Sequence, residues 1–188
     1  MADHRRVLSR RFRAVPNVQV LDASGEHLSV PDKSASLVVA CTAFHWFDRD
    51  RFYAEAARVL IPDGVMAIVR NRRRPDPLIR KFDAFLARHN HEIGDFEQRE
   101  KRKEPSVREL AALTAFKSPK SRTENWHNRM TCRQLIDLYL TRSTTSTVVR
   151  QKGLGFVMDE LQQICAAERA QEPFTVAWEA TMKWTKKK

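Results

Sequence analysis

One stretch, from Ser36 to Val69, constrains the fold of this chain more than any other. Leu37–Ala40 and Val65–Val69 are short runs of consecutive apolar residues, the pattern of strands that are buried on both faces. Between the two runs, apolar residues recur at helical spacing. They are Phe52, Ala56, Val59 and Leu60. Strand, helix and strand together predict one βαβ unit, and therefore an α/β fold.

Local signals predict where these elements begin and end. Asp48 precedes the helix and can accept hydrogen bonds from the unpaired amides of its first turn. Pro62–Gly64 predicts a tight turn at the helix end. Upstream, the spacing of apolar residues predicts a helix over residues 3–14, and Val18–Leu21 is predicted to form the next strand.

Five short segments in this region form a family pattern. They are Val18–Glu26, Pro31–Ser34, Ala43–Asp48, Arg58–Leu60 and Pro62–Gly64. Together they resemble the second half of a class I S-adenosylmethionine-dependent methyltransferase of the type 11-like group. The tetrapeptide His45–Asp48, which reads H-W-F-D, is similar to that of trans-aconitate methyltransferases and their relatives.

The resemblance implies a Rossmann-like α/β sheet that lacks its first two strands and its glycine-rich loop, which would lie upstream of Met1. We therefore expect an N-terminally truncated domain. The family's strand order is 3-2-1-4-5-7-6, so the missing first and second strands separate the third strand from the fourth. We expect Val18–Leu21 to pair directly with Leu37–Ala40 instead. The alternatives are a strand supplied by a partner chain and a poorly ordered N-terminal segment.

The resemblance also implies the cofactor, S-adenosylmethionine, and residues that bind it. Ser24 and Gly25 lie in the loop that the family places beside the adenine, although an ordinary strand-to-helix loop would look the same. Cys41 and Thr42 follow the next strand, where the family backbone passes the methionine end of the cofactor.

His45 and Trp46 would flank the transferred methyl group. His45 is the candidate catalytic base, because an imidazole titrates near neutral pH. The alternative is a structural histidine that bonds the backbone at the start of the helix. Trp46 is a candidate for contact with substrate or cofactor by cation–π attraction, or else it packs at the strand–helix junction.

A basic segment follows the second strand of the βαβ unit. The family commonly inserts a substrate-covering lid at this place, and residues 70–114 match it in position. Arg70 and Arg72, with Arg73, are candidate anchors for an anionic substrate because guanidinium pairs with carboxylate in a bidentate geometry. A solvated loop is the alternative for each of them.

Residues 1–188 are predicted to form one partial methyltransferase domain. Its core is residues 18–69, its lid-like insertion is residues 70–114 and its C-terminal part is residues 115–188. Thr131 is a candidate helix cap. The predicted later elements are a helix over Leu78–Leu86, a strand over 121–130, a helix over 131–140 that stops in the Ser/Thr-rich run 141–147, a helix over 156–170 and a strand over 174–184.

Composition excludes several classes of protein. The formal net charge of +11 permits phosphate binding, but no aromatic nucleic-acid module accompanies the basic clusters. The three cysteines are far apart in sequence and predict free thiols in a reducing compartment. No apolar run is long enough to span a membrane. His89 and His91 have the wrong offset for a metal site. We expect a cytoplasmic protein without metal or membrane contact.

The leading functional expectation is methyl transfer from S-adenosylmethionine to a small-molecule oxygen, with a carboxylate as the expected acceptor. One alternative is a non-catalytic methyltransferase remnant that needs its missing part or a partner chain. A further alternative is a basic nucleic-acid-binding protein on the same fold. Because no glycine-rich loop of the family is present, we expect this chain to bind S-adenosylmethionine weakly or not at all.

Overall fold

A computed structural model describes residues 2–90, 104–168 and 171–188. Residues 91–103, in the predicted lid-like insertion, and residues 169–170, at the end of a predicted helix, lie outside this description. The helices are α1 (Ala2–Arg11), α2 (Arg49–Val59), α3 (Pro77–His89), α4 (Val107–Ala111), α5 (Cys132–Leu140), α6 (Ser143–Lys152) and α7 (Leu154–Glu168), with a 3₁₀ helix over Phe44–Trp46. The strands are β1 (Ala35–Cys41), β2 (Leu60–Arg73), β3 (Lys120–Met130) and β4 (Phe174–Lys186).

The strands form one sheet in the order β1-β2-β4-β3. The last strand in sequence therefore lies between the two strands before it, as the resemblance implies. Two backbone hydrogen bonds show that β2 and β4 are antiparallel. Lys187 N–H donates to Gly64 O and Arg74 N–H donates to Ala177 O, so the chain runs forward along β2 as it runs backward along β4. The mixed α/β fold predicted from the sequence is confirmed.

The predicted strand at Val18–Leu21 is not formed, and the predicted pairing with Leu37–Ala40 is wrong. Val18 donates its backbone N–H to Val15 O at 3.1 Å, so a turn uses a group that a ladder would need. Within the described part of the chain, β1 has β2 as its sheet neighbour and no strand on its other edge.

The residues group into two compact units. The first consists of Met1–Ile68, Pro105–Ser121 and Lys183–Lys188, and the second of Val69–Glu104 and Arg122–Met182. The core of the first unit lies around α2 and contains Ala40, Phe44, Phe52, Tyr53, Ala56, Leu60, Met66, Ile68, Leu110 and Phe116. Helical spacing predicted Phe52 and Ala56 of this core but not Tyr53, and the predicted Leu60 begins β2.

The core of the second unit is formed by helices and by Trp178 and Val176 of β4. Its helical members include Leu78, Phe82 and Phe85 of α3, Leu135 and Tyr139 of α5, Val148 of α6, and Val157 and Leu161 of α7. Thr131 caps α5 as predicted: its hydroxyl accepts from Gln134 N–H, and the Gln134 side chain accepts from Thr131 N–H. Asp76 caps α3 in a similar way, accepting from Ile79 N–H at 2.9 Å.

Three local predictions need correction. The predicted turn at Pro62–Gly64 lies inside β2. Asp63 has a left-handed φ of 62° there, and Asp63 and Gly64 form backbone hydrogen bonds with Lys187, the residue that follows β4. The predicted loop after Val69 is strand through Arg73. The Ser/Thr-rich run does not stop the helical region, because α6 begins at Ser143 and buries Thr145 and Val148.

The prediction of three free thiols is also wrong. Cys132 and Cys165 form a disulfide across 33 residues of sequence, with their Cα atoms 6.0 Å apart, while Cys41 is free and exposed. The pairing arises because α5 packs against α7 in the second unit, which spacing in the sequence does not reveal. Among the described helices none has the length and apolar character needed to cross a membrane.

Candidate active site

The loop that precedes β1 is attached to the start of α2. The Glu26 carboxylate accepts the backbone N–H of Asp48 at 3.0 Å. A Cβ on Gly25 would lie 2.8 Å from the Phe47 ring, so only glycine lets the ring lie this close to the backbone. Ser24 is exposed and forms an isolated bridge with His27. Gly25 thus lies beside the segment that follows β1, and cofactor binding by Ser24 and Gly25 stays a prediction.

The carboxyl end of β1 has an unusual backbone. Cys41 and Thr42 are both exposed, and Thr42 has a φ of 52°. The left-handed region is rare for a β-branched residue, and such outliers concentrate at functional sites. Ligands of open α/β sheets bind at the carboxyl ends of the strands. Thr42 therefore lies where a ligand is expected in this fold.

The short helix that follows presents His45 and Trp46. Phe44 is buried and packs against Phe52, with ring centroids 5.7 Å apart, so it anchors the turn in the core. The His45 and Trp46 ring centroids are 4.8 Å apart. Trp46 is 68% exposed, which excludes the alternative that it packs at the strand–helix junction.

An ionic network holds the chain on the other side of α2. Arg58 donates to the Glu55 carboxylate at 2.6 and 2.8 Å and to Asp32 at 2.5 Å. Arg58 also donates to the backbone carbonyls of Leu28 and Val30. Leu28 N–H also donates to Glu55 at 2.6 Å. The Arg58 hydrogen bonds, and then the backbone bond, lower the pKa of Glu55 to about 2 despite its burial. This network ties residues 28–32 to α2.

A second contact supports the aromatic core of the first unit, and the sequence analysis did not identify it. Glu109 accepts from the Tyr53 hydroxyl at 2.8 Å and from Arg49 at 2.7 Å. Burial, and then the Glu109 hydrogen bond, raise the pKa of Tyr53. The Arg49 guanidinium also lies 5.0 Å from the Phe44 ring centroid. No local pattern links Glu109 to α2, because 56 residues separate it from Tyr53.

The two predicted substrate anchors belong to the second unit and are both paired there. Arg70 is buried and lies 3.5 Å from Glu104, and Arg72 lies 2.6 Å from Glu179. Their positive charges are therefore partly offset by carboxylates. Substrate binding by Arg70 and Arg72 stays a prediction.

The residues of the first unit fit S-adenosylmethionine in part. The exposed left-handed backbone at Thr42 and the open indole of Trp46 suit the methionine end of the cofactor. The close approach of the Phe47 ring explains by itself why position 25 is a glycine, so contact of Gly25 with adenine stays a prediction. A surface cavity of about 350 Å³ lies between α1 and residues 15–20, and none of the predicted site residues lines it.

The sheet order, the βαβ unit and the ligand-facing end of β1 define a Rossmann-like α/β protein of the class I methyltransferase type. The methyltransferase domain family matches residues 2–68. This match and the fold make the chain similar to class I S-adenosylmethionine-dependent methyltransferases.

Individual relatives agree with this assignment. An uncharacterized methyltransferase of Mycobacterium tuberculosis is 29% identical over 161 residues, covering 84% of this chain and 59% of that protein. A methyltransferase-like protein of Schizosaccharomyces pombe is 33% identical over 91 residues, covering 48% of this chain and 34% of its own length. This chain therefore matches 59% of the length of the mycobacterial relative and 34% of the length of the Schizosaccharomyces pombe relative.

A solved structure shows the same fold. A type II methyltransferase candidate from Anaeromyxobacter dehalogenans superposes with a TM-score of 0.58 at 22% identity. The match covers 92% of this chain and 72% of the other.

Proposed function

We propose that this protein transfers a methyl group from S-adenosylmethionine to an oxygen of a small molecule, with a carboxylate as the acceptor. The observation that carries the proposal is the end of β1, where the left-handed Thr42 is followed by His45 and the exposed Trp46. Similarity to the methyltransferase domain family supports S-adenosylmethionine as the cofactor. The similarity of the H-W-F-D segment to trans-aconitate methyltransferases favours an acid as the acceptor.

Each residue has a distinct role in this proposal. S-adenosylmethionine, when bound, supplies an electrophilic methyl group on a sulfonium. Cys41 and Thr42 would hold its methionine end through their backbone, and Ser24 and Gly25 its adenine. The Trp46 indole face would attract the positive sulfonium and exclude water on one side. Arg70 and Arg72 would bind the anionic acceptor by exchanging their present carboxylate partners for it.

Titration of the purified chain with S-adenosylmethionine tests the cofactor proposal. We expect binding that is weak but measurable and that Trp46→Ala reduces, because the indole face is removed. Trp126→Ala, which removes another exposed indole, is the control. Methyl transfer is then followed by mass spectrometry with a panel of organic acids, where a methyl ester is the expected product. If neither cofactor binding nor ester is detected, the proposal fails.

His45→Ala separates the base from the structural alternative. For an acceptor hydroxyl that must lose a proton, removal of a general base lowers turnover by roughly 10²–10⁴-fold. A carboxylate is already ionised at neutral pH, so our proposal predicts a small effect, on the order of threefold. A large loss with unchanged circular dichroism would show that the acceptor is protonated and that the carboxylate assignment is wrong.

A second candidate is a methyltransferase fold that a partner chain completes and that does not catalyse by itself. The open edge of β1, with Leu37 55% and Val39 44% exposed, favours it. Under this candidate the chain alone binds neither S-adenosylmethionine nor its demethylated product, S-adenosylhomocysteine. Saturable binding of either one would exclude it.

A further inference from the structure

Arg73, the last residue of β2, has an unusual environment for a cation. Its guanidinium carbon lies 4.3 Å from the centroid of the Tyr139 ring and 5.7 Å from that of Trp178. Tyr139 is fully buried and Trp178 nearly so. All three residues belong to the second unit. Arg73 therefore extends its charge over aromatic rings instead of into water.

No carboxylate of the described residues forms an ion pair with Arg73. Its neighbours in β2 differ, because Arg70 pairs with Glu104 and Arg72 with Glu179. The Nε atom of Arg73 is buried without a hydrogen-bond partner among these residues. Burial is also the main cause that lowers the pKa of Arg73. Attraction to an aromatic face offsets only part of the cost of removing a guanidinium from water.

Among the described residues around Tyr139, one positive charge has no counterpart. Arg142 lies 4.9 Å from the same Tyr139 centroid and donates to Asp83 at 2.7 Å. The Tyr139 hydroxyl donates to the same Asp83 oxygen at 3.1 Å. Two guanidiniums and one carboxylate thus surround the Tyr139 ring. A monoanion such as a carboxylate would neutralise this cluster, whereas a phosphate dianion would exceed it.

Aromatic side chains beside the cluster offer a surface for an apolar ligand body. Trp126 stacks on Trp178 with centroids 5.1 Å apart and planes at 10°, and it is 40% exposed. Both indole N–H groups are already used, by Asn71 for Trp126 and by Asn128 for Trp178. Trp178 is covered by Trp126, so the exposed indole of Trp126 is the aromatic face open to a ligand. Asn71 and Arg73 point to the same side of β2, two residues apart, so the indoles and the guanidinium share one face of the sheet.

We propose that this face of the second unit is a binding site for a small organic carboxylate with a planar apolar body. Arg73 pairs with the carboxylate, Arg142 adds positive charge, and the exposed Trp126 indole contacts the apolar part. The proposal concerns the second unit alone and does not depend on methyl transfer.

Calorimetric titration with benzoate tests the proposal, using the whole chain. We expect saturable binding of benzoate and no binding of benzamide, which has the same ring but no charge. Inorganic phosphate, the alternative anion, should bind at least roughly tenfold more weakly than benzoate. Equal affinity for benzamide would overturn the role of Arg73, and tighter binding of phosphate would overturn the assignment to a carboxylate.

Matched variants locate the site. Arg73→Gln should weaken benzoate binding by more than about tenfold. Arg74→Gln removes the same charge from the adjacent, exposed position and should change the affinity by less than about twofold. Equal effects of the two variants would show that only the general positive charge attracts benzoate, and would overturn the proposal.

Arg73→Met distinguishes binding from a structural role of the guanidinium. A residue kept for ligand binding destabilises the empty protein, so Arg73→Met should keep or raise the melting temperature while abolishing benzoate binding. Benzoate should raise the melting temperature of the wild type and leave that of the variant unchanged. A lower melting temperature for the variant, with benzoate binding retained, would assign Arg73 a structural role only.

Discussion

At the scale of single residues, Glu55 shows how one carboxylate can stabilise both a helix and the segment packed on it. Its side chain is 8% exposed and accepts from Arg58 and from the Leu28 backbone. Removing one partner of a buried ion pair leaves the other charge without compensation, which is costly. Glu55→Gln should therefore lower the free energy of unfolding at neutral pH by about 3 kcal/mol.

Urea denaturation measures this loss. Asp137→Asn is the control, because its partner Arg133 and Asp137 itself are both well exposed. For such a surface pair we expect a change of no more than about 0.5 kcal/mol. Similar losses in both variants would show that the Glu55 network contributes no more than a surface ion pair.

The same carboxylate predicts a dependence of stability on pH. The pKa of Glu55 is lowered to about 2 in the folded protein, below its value of about 4.3 in the unfolded chain. The stabilisation is therefore complete above about pH 4.3 and is lost as the pH falls towards 2. Glu55→Gln should have a shallower loss of stability than the wild type across this window. If the stability of the wild type and of Glu55→Gln falls in parallel with pH in acid denaturation, the lowered pKa of Glu55 is not the cause.

Gly25 is the residue at which packing and function compete for one position. A methyl group there would meet the Phe47 ring, which is itself stacked on Phe52 with centroids 5.1 Å apart. Gly25→Ala should cost roughly 1–3 kcal/mol of stability, because the ring must leave its stack. Adding Phe47→Leu should recover part of this loss in thermal denaturation. No recovery would mean that the ring is not the obstacle.

At the scale of elements, the disulfide joins α5 to α7. It closes a loop of 33 residues, so the chain-entropy estimate of its contribution is about 3–4 kcal/mol. Cys132→Ser removes the bond and leaves the buried Cys165 in the core. We expect urea denaturation to show that the free energy of unfolding of the variant is lower by this amount and no longer changes when reductant is added.

Cys41→Ser is the matched control, since Cys41 is free and exposed. It should keep wild-type stability and wild-type sensitivity to reductant. If reductant leaves the wild type unchanged as well, the two thiols are not bonded in solution.

At the scale of the whole molecule, the edge of β1 that has no strand beside it among the described residues can govern association between chains. An unpaired edge with apolar side chains is a template for pairing with another strand. Leu37→Lys should therefore reduce concentration-dependent association, because a charge on the edge opposes pairing. Light scattering after size-exclusion chromatography gives the readout.

Val107→Lys makes the same change of residue type at a position that is also exposed but lies on a helix. It should leave association as in the wild type. If both lysines act equally, added net charge and not the strand edge controls association.

Local patterns alone determined much of this protein. The strand at β1, the helical spacing of α2 and α3, and the caps at Asp48 and Thr131 were predictable because each depends on residues near one another in sequence. The predicted burial of β1 on both faces is wrong, because Leu37 and Val39 are exposed. The order of the sheet and the cofactor class followed from resemblance. Ser24, Gly25, Cys41 and Thr42 were selected in the same way, and their roles remain predictions.

Only the tertiary structure decided which distant groups meet. Val18–Leu21 has an apolar strand pattern, but a strand needs a partner, and a turn takes the Val18 amide instead. Cys132 and Cys165 pair because α5 packs against α7. Adjacent arginines of β2 read alike in sequence, yet Arg72 meets Glu179 while Arg73 meets two aromatic rings. The alternation of side chains in a strand sends neighbours to opposite faces, and what each face meets comes from remote parts of the chain.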